Sequence, residues 1–168
     1  MLFTYFHLLS GMGFIQMTRP ATGNLLYSQS EYDISNAQLS YGLDRTYNSS
    51  ISRTSMFGIG WTDSYHKGIY TDGTDIYYVD SDGSSYRFTF NERIYECEET
   101  KEYTLSVTED GYAIETKDEH VYRFNKSGQL VRESEPNGCT ITYSYDLLGR
   151  LAFVISREDN QSERKLAF

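Results

Sequence analysis

Three histidines, His7, His66 and His120, are the side chains here best suited to move protons or bind metal near neutral pH. None stands in an HExxH pattern or beside a cysteine pair with zinc spacing. Ser64 and His66 lie two apart, so on a strand they would share a face. No third group is visible to orient them as a nucleophile and base. Paired carboxylates could serve glycoside chemistry, and Asp33, Asp44 and Asp63 or Glu96, Glu98 and Glu99 are the candidates. The glutamates cluster at a strand end close to Lys101, which reads as a solvated acidic face. Asp72, Asp75, Asp80 and Asp82 raise calcium, which wants oxygens converging from one loop. These four spread over two turns, where aspartate already accepts backbone N–H bonds. Catalytic residues, metal ligands and cofactor sites are therefore expected to be none.

The composition favours strands over chemistry. The chain has 168 residues, about one ordinary domain, with 16 tyrosines, 9 phenylalanines and one tryptophan. Flat rings pack well on cross-strand neighbours. Two prolines and 13 glycines suit tight turns. A net charge of -9 disfavours nucleic acid and anionic membrane surfaces as partners. Cys97 and Cys139 could pair, but nothing in their spacing requires it, and two free buried thiols are the preferred reading. The apolar run Met1 to Leu9 lacks a basic n-region and is shorter than the about 20 residues of a membrane span. Residues 1–17 read as an irregular apolar leader that could cover an unfinished sheet edge.

Turn signals then punctuate the chain about every ten residues. Leu25 to Ser28 suits a strand, Asp33 to Ser40 is polar and mixed, and Leu39 to Asn48 suits another strand. Asn48 to Ser55 reads as a Ser/Thr-rich loop. Gly58 and Gly60 flank Ile59 just before Trp61, which allows backbone to pack closely against the indole. Asp72-Gly73, Asp82-Gly83, Asp110-Gly111 and Asn137-Gly138 are hairpin signals, and Asp159-Asn160 is the last turn signal. Tyr86, Phe88 and Phe90 alternate with polar residues, the period of a half-buried strand. No window shows a capped helical stripe. The expected fold is all-β, a curling meander of short antiparallel strands.

The meander contains a repeat. Tyr122, Phe124, Gly128 and Leu130 return 21 residues later as Tyr143, Tyr145, Gly149 and Leu151. The second copy, Tyr143 to Val154, resembles a YD repeat of the Rhs type, with Tyr145-Asp146 followed by Gly149-Arg150-Leu151. The first copy has Phe124-Asn125 and Gly128-Gln129-Leu130 at the same places. Upstream, Thr22-Gly23-Asn24, then Arg45, Tyr47, Asn48 and Ser49, then Gly58, Gly60 and Trp61 resemble the segment that leads into the repeats of Rhs and wall-associated proteins. The likeness covers roughly Thr18 to Phe168.

This resemblance implies a division: residues 1–17 as leader, 18–115 as an Rhs-type lead-in segment of β-hairpins, and 116–168 as YD-type repeats. It implies a non-catalytic piece of a hollow β-shell that encloses or presents a C-terminal toxin or effector, related to the shells of teneurin-like surface proteins. The partners would be further YD repeats or an effector domain of a longer parent, with self-association through open sheet edges. The parent family is secreted or surface-bound, with a cytoplasmic pool before export. The other reading is a cell-surface module that binds carbohydrate or wall polymer on aromatic faces. Arg45, Arg87, Arg123 and Arg150 sit beside aromatics and suit ring stacking or carbonyl capping. Arg150 is expected to close its hairpin by pairing with Asp146 or a neighbouring carboxylate, and Trp61 to anchor the lead-in turn.

Overall fold

The computed structural model describes residues 6–8, 14–19, 23–36, 39–52, 54–55, 57–157 and 163–167. Among these there are eighteen strands, every described ladder is antiparallel, and no helix is assigned. The chain divides into two compact units, Met1–Lys67 with Asp80–Ser84, and Gly68–Val79 with Ser85–Phe168.

The first unit holds β1 (Phe6–Leu8), β2 (Phe14–Arg19), β3 (Asn24–Asn36), β4 (Leu39–Asn48), β5 (Thr54–Ser55), β6 (Gly58–Ile59) and β7 (Trp61–Asp63). Its main sheet runs β1-β2-β3-β4-β7, and β5 pairs with β6. Three expectations are corrected here. Residues 6–8 and 14–17 are extended rather than irregular, because β2 pairs along β3 from Phe14↔Gln29 to Arg19↔Asn24. β1, the edge of that sheet, pairs in turn with β2 from Phe6↔Met17 to Leu8↔Ile15, and such pairing satisfies main-chain groups. The polar stretch at Asp33 is strand, since β3 continues against β4 to Asn36↔Leu39, past a bulge between Ser30 and Tyr32. Within the Ser/Thr-rich stretch, Thr54–Ser55 is strand and pairs with Gly58–Ile59.

The second unit holds β8 (Gly68–Asp72), β9 (Asp75–Val79), β10 (Ser85–Asn91), β11 (Ile94–Cys97), β12 (Tyr103–Thr108), β13 (Gly111–Thr116), β14 (Val121–Asn125), β15 (Leu130–Ser134), β16 (Thr140–Tyr145), β17 (Leu151–Arg157) and β18 (Arg164–Ala167). The first four form one sheet, β11-β10-β9-β8, and the other seven pair in chain order. Neighbour-to-neighbour pairing is what short hairpin loops permit. The two sheets meet through aromatics. Tyr78 is fully buried, with ring centroids 5.1 Å from Tyr103, 6.0 Å from Phe124 and 6.4 Å from Tyr122. Each such pair adds about 0.5–1.5 kcal/mol beyond the area it buries. Phe88, Ile114, Leu130 and Val154 complete the core at 0% exposure. Period-two alternation puts one such residue inward on most strands.

Candidate functional site

In the first unit the lead-in motifs converge on Trp61. Register pairs Tyr47 with Trp61 across β4 and β7, and the two rings lie 5.5 Å apart. Tyr27 meets the indole edge-on at 6.1 Å. The Arg45 guanidinium stacks 5.2 Å from the Trp61 ring and 5.1 Å from Phe57, and pairs with Glu31. Cation–π contact explains an arginine beside these rings. Gly60 lies at φ +78, and a Cβ there would fall 2.8 Å from Tyr47 Cε2 and 3.1 Å from the Asn48 carbonyl. Its own carbonyl accepts from the Asn48 amide at 2.8 Å. Gly58 is looser, with Trp61 Cδ1 3.8 Å from its virtual Cβ.

The asparagines of this unit form a knot that sequence reading missed. Asn24 Oδ1 accepts from Ser49 Oγ at 2.9 Å and from the Ser50 amide at 3.2 Å. Asn48 Oδ1 accepts from Ser50 Oγ at 2.6 Å. Leu25 and Ser49 exchange further bonds, amide to Ser49 Oγ at 2.8 Å and amide to Leu25 carbonyl at 2.9 Å. The Thr-Gly-Asn and Tyr-Asn-Ser motifs are thus two halves of one lock. Only the recurrence of Asn at strand ends hinted at it.

The Ser64–His66 pair is not assembled. Ser64 bonds to the Asp44 backbone instead, its amide donating to the Asp44 carbonyl at 3.0 Å. His66 Nδ1 sits 2.5 Å from Asp63, a carboxylate only 2% exposed that also accepts from the Tyr65 amide at 2.9 Å. The bond to Asp63 raises the His66 pKa above its ordinary value, against an opposing effect of burial. Three of the four aspartates raised for calcium are engaged separately. Asp75 pairs with Arg87, Asp80 accepts from the Ser81 amide, and Asp82 accepts from the Ser84 amide. Among the described residues no three His, Cys, Asp or Glu side chains converge as a metal site. Asp33 and His7 carry no described side chain, and Asp159-Asn160 falls outside the described residues. Cys97 and Cys139 are both buried thiols outside any disulfide among the described residues. Desolvation, then a bond to Glu99, pushes the Cys97 thiol pKa up.

In the second unit the repeat motifs build two matching turns. Asn125 and Asp146 each open a turn, with the amide donating to the carbonyl of Gln129 or Arg150 at 2.9 Å. Gly128 and Gly149 close back on those residues at 2.9 Å, with φ +78 and +75. The side-chain oxygen of Asn125 accepts from the Ser127 and Gln129 amides, and that of Asp146 from the Leu148 and Arg150 amides. This is a type I turn followed by a left-handed bulge residue, not the two-residue loop that a following glycine often signals. A bulge in each ladder, at Arg123/Phe124 and Ser144/Tyr145, confirms the geometry. The same two main-chain bonds recur at Asp80–Ser84, Thr116–His120 and Glu135–Cys139.

The ends of each turn are tied differently. Asn125 Nδ2 donates to Gln129 Oε1 at 3.0 Å, whereas Arg150 Nε and Nη2 donate to Asp146 Oδ2 at 2.8 and 2.7 Å. The Arg150 amide, then its guanidinium, hold the Asp146 carboxyl below the ordinary range. Tyr145 reaches the other way, its hydroxyl donating to the Leu130 carbonyl of the first copy at 2.7 Å. Leu151 pairs with Tyr145 across the bulge. Of the four flagged arginines, Arg45 stacks on rings, Arg87 and Arg150 bind carboxylates, and Arg123 lies exposed opposite Arg132.

Residues 70–165 match a family model described as teneurin YD-shell. The chain belongs to the Rhs/YD-repeat shell family. Residues 18–88 match a second model, a domain of unknown function termed DUF6531. The tRNA nuclease WapA of Bacillus subtilis (strain 168) is 34% identical over 129 residues, which are 74% of this chain and 6% of that protein. The tRNA3(Ser)-specific nuclease WapA of Bacillus spizizenii is 33% identical over 129 residues, with the same coverage. This YD-shell chain therefore spans only a small part of the curated relatives it matches. It is a structural segment of such a shell.

Proposed function

We propose that the segment forms part of the wall of a shell in a much longer parent, and that this shell encloses or presents a C-terminal effector. The carrying observation is the interlock between consecutive repeats. The Gln129 side chain of one turn donates to the Gly149 carbonyl of the next at 2.9 Å, and Tyr145 returns a bond to Leu130. Units that hold one another in series extend a surface by addition. The names of the Bacillus relatives support a nuclease as one such effector. In this reading residues 18–115 are the lead-in, 116–168 the first repeats and 1–17 the leader. Arg45, Tyr47, Asn48, Gly58, Gly60 and Trp61 act as the lead-in anchor, and Tyr145, Asp146, Gly149, Arg150 and Leu151 as the repeat closure. The parent acts outside the cell or at its surface after a cytoplasmic stage. Among the described residues β12 and β18 end the seven-stranded ladder, and further repeats or a second copy would add on there.

The packing of Trp61 against Tyr27, Tyr47 and Arg45 favours an anchor over a sugar platform. Protease protection tests the shell reading. In the effector-bearing parent, the effector should survive a protease dose that degrades it once detached. Equal cleavage of enclosed and detached effector would overturn the proposal.

A further inference from the structure

The two repeat turns share the main-chain bonds that close them but differ in the side chains at their two ends, Asn125 and Gln129 against Asp146 and Arg150. The residue after the turn glycine is Gln129 in the first copy and Arg150 in the second. Gln129 is half-buried, and its side chain bonds at both its oxygen and its nitrogen. Its oxygen accepts from Asn125 Nδ2 at 3.0 Å, which leaves its nitrogen pointed at the Gly149 carbonyl, 2.9 Å away. Asn125 thus aims Gln129. Asp146 does the same for Arg150, holding Nε and Nη2 on one carboxylate oxygen at 2.8 and 2.7 Å. A guanidinium has five N–H donors, so Arg150 keeps donors beyond those two contacts. Its side chain is 74% exposed.

We propose that the residue after the turn glycine is a clasp between repeats, donating to the glycine carbonyl of the following turn, and that the residue opening the turn aims it. Asn–Gln and Asp–Arg are then interchangeable solutions to one task. Arg150 is the clasp that the second copy offers to a further turn. This deepens the shell reading, since it names the contact by which one repeat engages the next.

The test uses the full chain and is independent of any effector. Amide hydrogen exchange is followed at Asp146, Leu148, Gly149 and Arg150, whose N–H groups are all bonded within the second turn. Gln129→Glu keeps the shape and removes the donor. It should speed exchange at these amides about fivefold, the worth of one net hydrogen bond. Asn125→Asp with Gln129→Arg recreates the second turn's chemistry in the first and should restore protection to within about twofold. Lys126→Ala, in the same turn, should leave protection unchanged. Unchanged exchange at residues 146–150 in Gln129→Glu would overturn the clasp. Equal loss in Gln129→Glu and in the double variant would overturn the interchange. Global unfolding, followed in parallel, separates local uncoupling from general destabilisation. None of these outcomes depends on whether the parent encloses an effector, so failure here leaves the shell reading to its own assay.

Discussion

Replacing Gly128 and Gly149 by alanine, one at a time, separates backbone strain from close packing. The two glycines share a turn and a conformation, φ +78 and +75. An alanine held in the left-handed region costs about 1–2 kcal/mol, and that cost is common to both. The surroundings are not. At Gly149 the virtual Cβ has Gln129 Nε2 at 3.4 Å, the end of a flexible side chain that can yield. At Gly128 it falls 2.0 Å from the Ile69 carbonyl oxygen and 2.9 Å from the carbonyl carbon. β8 must retreat, breaking the Ile69 amide bond to the Gly128 carbonyl, now 2.9 Å, and the bridge between Gly68 and Gln129. Two lost bonds among buried groups add about 2–4 kcal/mol. Gly149→Ala should therefore cost about 1–2 kcal/mol and Gly128→Ala about 3–6. Urea denaturation read by far-UV circular dichroism measures both. Trp61 fluorescence is the wrong probe, because that residue belongs to the other unit. With a slope of about 2 kcal/mol per molar, the midpoints should differ by about 1 M or more. Equal midpoints, or a larger loss in Gly149→Ala, would refute the argument that close approach of β8 dominates.

The His66–Asp63 pair should make the first unit pH-sensitive. Its His66 pKa is raised on folding, so the added stability is full below the ordinary value near 6.5 and is lost as pH climbs through the higher folded value. Unfolding midpoints by Trp61 fluorescence should fall across that range, and His66→Gln should flatten the profile; a slope that survives the substitution would discredit the pair as its source. Burial pushes the Tyr145 hydroxyl up to about 12, so its bond to Leu130 should persist until alkaline pH, well past the midpoint of a free tyrosine. Tyr145→Phe leaves the Leu130 carbonyl without that donor and should cost about 1–2 kcal/mol in a urea titration. Glu119 holds φ +63 where the matching residues of the other bulge turns are glycine. Glu119→Gly should gain about 0.5–1 kcal/mol, seen as a higher melting temperature, and a loss would mean the exposed glutamate makes an unrecognised contact. Intact-mass analysis after iodoacetamide should show two unmodified thiols in the native chain and two alkylated ones after denaturation, since Cys97 and Cys139 are buried and not joined in a disulfide.

What was legible in the sequence is what is local. Asp146 and Arg150 are four apart, so the chemistry of their pairing could be read directly. The strand Leu39 to Asn48 is legible with both its ends. Trp61 between glycines announced a packed indole. Long-range partners were not legible. Asn24 meets Ser49 and Ser50 across more than twenty residues, and nothing in either segment names the other. Gln129 finds its acceptor 20 residues away, and a polar side chain in a turn reads as solvated until the next turn is in place. Sequence alone carries β3 only from Leu25 to Ser28, because Asp33 to Ser40 is polar and mixed. Pairing with β4 carries it on as strand to Asn36 regardless, since a ladder depends on main-chain groups that every such residue possesses.

The 21-residue spacing also constrains how such a gene can change. Each copy carries its own turn and its own residue after the turn glycine, and the second copy carries the carbonyl that Gln129 of the first reaches. Recombination that adds or removes a whole copy leaves every junction chemically unaltered. A deletion of a few residues within a copy shifts strand register, and a shift of one reverses which side chains face inward. Variation in length should therefore accumulate in whole units, with small insertions and deletions confined to turn tips such as Leu147-Leu148, where both side chains are already exposed.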